Sequence, residues 1–144
     1  MKVDDGTIEL VNNMRKANIG EMSMDEIYRQ LGYERVSLDM VTDIDGVTHH
    51  GIYGVYYNPN GHPPFIIAEA KYGSSRLSYL RDGTKQMSHE WIGDRLEEAV
   101  GARNFEKIDE AMKHKNVGYQ LVKVRKNGDI MINNLDKNAK IIRP

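Results

Sequence analysis

The stretch Phe65-Ile66-Ile67-Ala68-Glu69-Ala70-Lys71 decides the fold of this chain. Its first four residues are apolar, and a short apolar run with β-branched and aromatic members is typical of a buried strand. Alternate residues of a strand share one face, so we expect the side chains of Glu69 and Lys71 to project together. Each charge is costly to bury unless it is paired or bound to a metal. The simpler alternative is a strand end that reaches solvent, where such a pair contributes little.

Strand and turn signals lie on both sides of this run. Residues 36–40 alternate apolar and polar side chains, which predicts a half-buried strand. Residues 43–46, Asp-Ile-Asp-Gly, predict a hairpin turn, and the aromatic and β-branched residues of 49–57 predict the returning strand. Further along, 117–125 and 129–135 predict a second hairpin.

Helical periodicity occupies most of the remaining chain. Residues 6–15 predict a short amphipathic helix, and residues 18–31 predict a second one. We expect a further helix that starts at Thr84 or Ser88 and runs to Val100, with Ile92, Leu96, Ala99 and Val100 on one face. Another helix should cover 105–112. This order of elements predicts an α+β (α/β-like) fold in which a central mixed sheet is flanked by helices.

Composition excludes several classes of protein. The 144 residues fit a single domain, 1–144. No apolar run approaches the roughly 20 residues that a membrane span needs, so we expect no span. The absence of cysteine excludes disulfides and thiolate metal sites. A net charge of −1 gives no global sign of nucleic-acid binding, so such a role has to depend on a local patch.

A β-hairpin followed by apolar-apolar-x-Glu-x-Lys and a helix resembles the core of the PD-(D/E)XK nuclease superfamily, which has a restriction-endonuclease-like fold. The resemblance implies that Glu69 binds a divalent metal, Mg²⁺ or Mn²⁺, and that Lys71 orients or activates the attacking water. Mg²⁺ prefers oxygen ligands and keeps several waters. A bound metal lowers the pKa of its water and neutralises charge on phosphate oxygens.

A closer resemblance covers about residues 20–96. The strings Gly51-Ile52-Tyr53-Gly54-Val55-Tyr56, Glu69-Ala70-Lys71-Tyr72-Gly73 and Gln86-Met87-Ser88-x-x-Trp91-Ile92 are similar to the polymorphic nuclease effector domains. These are antibacterial DNase toxins at the C-termini of secreted effectors. The resemblance implies a DNA substrate, a cognate immunity protein, delivery from a larger effector and action in the cytoplasm of a target cell.

One position departs from the family pattern. Where the family has Gly-Ile-Asp-Gly-Val-Tyr, with a metal-binding Asp, this chain has Tyr53. A phenol with a pKa near 10 is a poor replacement for a carboxylate ligand. Even outer-shell partners of a metal typically matter 10- to 100-fold. We therefore expect the chain as written to be severely impaired or inactive.

Further site residues follow from the same resemblance. Glu21 matches an acidic residue near the metal, and its alternative role is a favourable charge at a helix start. Gln86 and Ser88 match the motif that completes the catalytic site, and the alternative for Ser88 is a helix N-cap. Trp91 is expected in the core.

A local basic patch is the candidate DNA contact. Four cationic side chains surround the expected site and would contact phosphates without reading sequence; they are Arg76, Arg81, Lys85 and Arg95.

Three other functions remain open. The chain is either a nuclease fold that only binds nucleic acid or an immunity protein, an RNase toxin, or a repair or restriction nuclease without an immunity partner. A metal-free RNase would need histidines as acid and base. His49 and His50, however, are adjacent on the expected strand and would point to opposite faces, and His62 falls in a turn.

Overall fold

The computed structural model describes residues 5–38 and 53–143, and the side chains of residue 15 and of residues 18–38 and 53–143. The elements, in chain order, are α1 (Asp5–Gln30), β1 (Glu34–Arg35), β2 (Gly54–Tyr57), β3 (Phe65–Tyr72), α2 (His89–Gly93), α3 (Leu96–Val100), α4 (Ala102–Lys113), β4 (Val117–Val124) and β5 (Ile130–Asn134).

The five strands form one mixed sheet in the order β1-β2-β3-β4-β5. β3 pairs antiparallel with β2 and parallel with β4, and the outer pairs are both antiparallel. The parallel step requires a crossover connection, and α2, α3 and α4 provide it. The prediction of an α+β fold with a central mixed sheet flanked by helices is therefore confirmed.

Helices cover both faces of the sheet, because successive side chains of β3 point to opposite faces and both sets are apolar. Ile67 faces one core cluster, beneath α2, α3 and α4, together with Trp91 and Leu121. Ile66 and Ala68 face a second cluster that contains residues of α1. A strand buried on both faces reads as a continuous apolar run, as β3 does up to Ala68.

The structure corrects three of the predicted elements. The two expected N-terminal helices, 6–15 and 18–31, are one continuous helix, α1, because no glycine or proline that breaks the backbone separates them. Residues 39 and 40 of the expected strand 36–40 lie outside the described residues, and residues 36–38 are not in a strand. The two-residue strand β1 lies just before them. Its continuation still bonds the sheet, since the Val36 and Ser37 amides donate to the Val55 carbonyl.

The third correction concerns the helix expected up to Val100. It is divided into α2 and α3 at Asp94 and Arg95. The start at Ser88 and the helix over 105–112 are confirmed, as is the C-terminal hairpin. Residues 43–46 and 49–52 lie outside the described residues. No described helix is long and apolar enough to cross a membrane.

Candidate functional site

The register of β2 against β3 brings the two central positions of the expected site together. Gly54 pairs with Ala68 and Val55 with Ile67. One further step along the same register sets Tyr53 opposite Glu69. Tyr53 lies in the core cluster of Ile67, so its side chain shares a face with that of Glu69. Opposed residues of an antiparallel pair have Cβ atoms about 5 Å apart.

Glu69 is buried and held by one side chain from the loop before α2. Only 6% of Glu69 is exposed, and Gln86 Nε2 donates to Glu69 Oε2 at 3.2 Å. Burial raises the pKa of Glu69 to about 8; the charge of Lys71 opposes the rise and that of Glu21 adds to it. Burial disfavours the charged form of a carboxyl. In the metal-free protein this carboxyl is therefore mostly protonated at neutral pH.

The Gln86 side chain is held through its amide oxygen as well as through the amide nitrogen that donates to Glu69. Ser78 donates to Gln86 Oε1 through its backbone amide, at 3.2 Å, and through its hydroxyl, at 3.4 Å. The next residue, Met87, is fully buried with a φ of 70°, a backbone region that is uncommon for residues other than glycine. Such conformations persist where the surroundings over-determine them and cluster at functional sites.

The Tyr53 ring packs against an aromatic neighbour in the core, close to Glu69. The centroids of the Tyr53 and Trp91 rings are 5.2 Å apart. The Arg95 guanidinium carbon lies 4.7 Å from the centroid of the Trp91 ring. Burial raises the pKa of Tyr53 well above its ordinary value, although the charge of Arg95 opposes the rise. The phenol is therefore neutral at physiological pH. Within the described part of the chain, its hydroxyl has no hydrogen-bond partner.

Glu21 reaches the site from the other helical layer. It is 5% exposed and lies in line with the buried residues Asn18 and Met24 of α1. Gly20 brings α1 close to β3, since a Cβ there would lie 3.4 Å from that of Ala70. The negative charge of Glu21 acts on Glu69, so the structure places the two carboxyls within electrostatic reach of each other.

Ser88 has a structural role in this geometry. Its side chain caps α2 by accepting from the Trp91 amide, and its hydroxyl donates to the Lys85 carbonyl at 2.7 Å. N-caps of this kind satisfy a helix amide that lacks an intrahelical partner. The two hydrogen bonds found for this hydroxyl among the described residues therefore go to the backbone, and neither joins Ser88 to Glu69.

The four expected DNA-contacting cations divide into two pairs. Arg76 and Arg81 are exposed in the loop after β3. Lys85 donates to the Ala139 carbonyl at 2.8 Å, and Arg95 donates to the Trp91 carbonyl at 3.0 Å. The second pair is thus partly committed to holding the fold. The charge of Arg95 acts on Tyr53, which places Arg95 within electrostatic reach of the site.

Two other residues near the site were not predicted from the sequence. Ser78 holds Gln86, and Lys123 of β4 pairs in register with Lys71 of β3. Neither carried a signal along the chain, because the Lys71–Lys123 pairing joins segments distant in sequence and the Ser78–Gln86 hydrogen bond depends on how the intervening loop folds. Of the histidines, His49 and His50 lie outside the described residues, and His62 is exposed in the segment between β2 and β3.

The donor set fits a divalent ion only in part. The carboxyls of Glu21 and Glu69 and the amide of Gln86 are oxygen donors of the kind that Mg²⁺ accepts. The third position, opposite Glu69, holds the neutral phenol of Tyr53. Among residues 18–38 and 53–143, no group of three or more His, Asp or Glu side chains is arranged to hold a metal.

The chain was also compared with known proteins. Neither the models of known protein families nor the curated proteins yielded a match to this chain.

Proposed function

We propose that this chain is a metal-dependent DNase toxin domain of the PD-(D/E)XK type, with a restriction-endonuclease-like core and an impaired metal site. One observation carries the proposal: the β2–β3 register ends at the pair Gly54–Ala68, and continuing it by one residue would pair Glu69 with position 53. In the nucleases that the sequence resembles, an Asp occupies that position. Lys71 lies two residues beyond Glu69 on the same face, and Gln86 contacts Glu69 directly.

In this proposal each residue has a separate task. Glu69 and Glu21 hold the divalent ion, Mg²⁺ or Mn²⁺, which supplies an activated water and charge neutralisation when it is bound. The ammonium of Lys71 orients that water and stabilises charge on the scissile phosphate. Gln86 fixes the Glu69 carboxyl, and Ser88 keeps Gln86 in place through the cap of α2.

The substitution at position 53 accounts for the expected loss of activity. The phenol of Tyr53 is neutral and packs against Trp91, whereas the expected ligand is a negatively charged carboxylate. With two carboxyls instead of three, the site binds its metal weakly. Under the same proposal the chain is the C-terminal part of a larger secreted effector, acts in a rival cell's cytoplasm and is neutralised by an immunity protein.

Restoring the missing ligand is the test. Supercoiled plasmid is incubated with the parent chain, with Tyr53→Asp and with Tyr53→Asn, in Mg²⁺, in Mn²⁺ and in EDTA. We expect cleavage by Tyr53→Asp alone, abolished by EDTA. Tyr53→Asn is the matched control because it has nearly the same size as Asp without the charge. Circular dichroism of each variant verifies that the fold survives the loss of a core aromatic.

Two further results complete the test. Adding Glu69→Gln to Tyr53→Asp is expected to remove the restored cleavage. If folded Tyr53→Asp cuts neither DNA nor RNA with any divalent metal, the nuclease proposal is wrong. Cleavage of RNA alone would instead favour an RNase toxin.

The second candidate is a binding module without catalysis. The observation that favours it is the packing of Tyr53, which is 2% exposed and belongs to the larger core cluster. Under this proposal Tyr53 is a fully accommodated core residue. We then expect Tyr53→Asp to lose stability without gaining cleavage, while the parent chain binds DNA or a partner protein.

A further inference from the structure

Two lysines stand side by side at one end of the sheet. Lys71 of β3 and Lys123 of β4 are partners in the parallel register. Neighbouring strands lie about 4.8 Å apart, so the two side chains leave the backbone at nearly the same place. Both residues are half-buried, which restricts the directions that their ammonium groups can take.

Both lysines project from the face that carries Glu69. The register partners two residues earlier are Glu69 and Leu121, and Leu121 belongs to the core cluster beneath α2, α3 and α4. The residues between, Ala70 and Val122, belong to the cluster on the side of α1. Because side chains alternate along a strand, Lys71 and Lys123 lie on the same face as the candidate site.

The charge of Lys71 acts on the buried carboxyl of Glu69, but neither lysine forms a close ion pair within the described part of the chain. None of the ion pairs found there includes either lysine. The neighbour of Lys123 on β5 is Met131, which carries no charge. Like charges directly opposite each other destabilise a sheet, so an anion bound between the two ammonium groups would relieve their repulsion.

We propose that Lys71 and Lys123 form a binding pair for one phosphate group of a nucleic-acid backbone. An oxyanion between two ammonium groups accepts charge-assisted hydrogen bonds from both, and lysine binds phosphate as a point charge. The inference rests on the proposed function for the identity of the ligand, because it sets that phosphate beside Glu69. Lys123 is then a positioning residue that holds substrate and does not take part in bond cleavage.

The test measures binding, so that it does not depend on catalysis. Fluorescence anisotropy of a labelled 16-base-pair DNA gives Kd for the parent chain in EDTA over a range of salt concentrations. We expect Lys123→Gln to weaken binding about tenfold and to reduce the slope of log K against log salt by about 0.9, the loss of one phosphate contact. Lys123→Arg keeps the charge and is expected to keep both values.

The control is Lys113→Gln, on the last turn of α4. Lys113 is exposed and precedes β4, whose first residue, Val117, lies about 20 Å along the strand from Lys123 at 3.3 Å a residue. Lys113→Gln is expected to leave Kd and the salt slope unchanged. Inorganic phosphate at constant ionic strength is the second probe, and its displacement of DNA from the parent chain would show that the pair also takes the free ion.

Two outcomes overturn the inference. One is a salt slope for folded Lys123→Gln equal to that of the parent chain, and the other is an equal loss of slope in Lys113→Gln. The nuclease proposal fails by a different result, namely no cleavage by Tyr53→Asp. If Tyr53→Asp cleaves DNA but the salt slope of Lys123→Gln equals that of the parent chain, only the proposal of the lysine pair is refuted. If the salt slope changes but Tyr53→Asp does not cleave, only the nuclease proposal is refuted.

Discussion

Replacing the buried Glu69 carboxyl by an amide should change how the stability of the protein depends on pH. The folded protein holds this carboxyl with a pKa of about 8, against 4.5 for an ordinary glutamate, chiefly because it is buried. Glu69→Gln has nearly the same volume and still accepts the hydrogen bond from Gln86 through its amide oxygen. The substitution therefore removes a titrating proton while disturbing the packing very little.

The sign and the size of the effect follow from the two pKa values. Below pH 4.5 the carboxyl is neutral in both states and costs nothing. Between pH 4.5 and 8 the unfolded chain ionises while the folded protein keeps its proton, so stability falls as pH rises. At 1.36 kcal/mol for each pKa unit, the parent chain loses about 3 kcal/mol between pH 4.5 and 7 through this group. Glu69→Gln does not suffer this loss.

Urea unfolding in EDTA measures the difference. The chain has a single tryptophan, and Trp91 is buried against Tyr53, so its fluorescence reports loss of this core. We expect Glu69→Gln to be more stable than the parent chain by about 3 kcal/mol at pH 7 and by much less at pH 4.5. Glu97→Gln, exposed on α3, is the control. Parallel pH profiles for the parent chain and Glu69→Gln would refute the raised pKa.

Three further predictions test interactions that hold the fold together. Arg35→Ala is expected to lower the free energy of unfolding in urea by about 3 kcal/mol, since Arg35 and Asp25 form a nearly buried ion pair at 2.7 Å. The control, Arg29→Ala, breaks an exposed pair and should have little effect. Equal losses in the two variants would contradict this prediction. Tyr53→Phe is expected to raise the free energy of unfolding by up to about 1 kcal/mol, because the buried hydroxyl has no hydrogen-bond partner among the described residues. A lower melting temperature for this variant would show that the hydroxyl does have a hydrogen-bond partner. Ser88→Ala should cost about 1 kcal/mol through loss of the α2 cap, with Ser88→Asn restoring most of the melting temperature.

Several elements were predictable because their signals are local. The apolar run of β3 and its change to Glu69 and Lys71 are visible in seven consecutive residues, and the structure has that strand at Phe65–Tyr72. The cap at Ser88 and the C-terminal hairpin likewise depend on residues a few positions apart. For these three elements the local signal was enough, and the prediction was confirmed.

Other elements escaped prediction because competing local signals were equally good. The division of 89–100 into α2 and α3 leaves the same apolar positions facing the core, since Ile92, Leu96 and Val100 are all buried. Apolar spacing alone therefore does not reveal the break. The same holds for α1, where two candidate helix starts lie inside one continuous helix.

The sequence by itself determined the composition of the candidate site: a buried strand ending in Glu69 and Lys71, a tyrosine at position 53 and the Gln86-Met87-Ser88 segment. Only the tertiary structure decided which of these meet. The β2–β3 register ends at Gly54 and Ala68, the residues next to Tyr53 and Glu69, and the parallel β3–β4 register sets Lys123 beside Lys71. Pairing between strands depends on the packing of both sheet faces against helices from distant parts of the chain, and no local pattern records it.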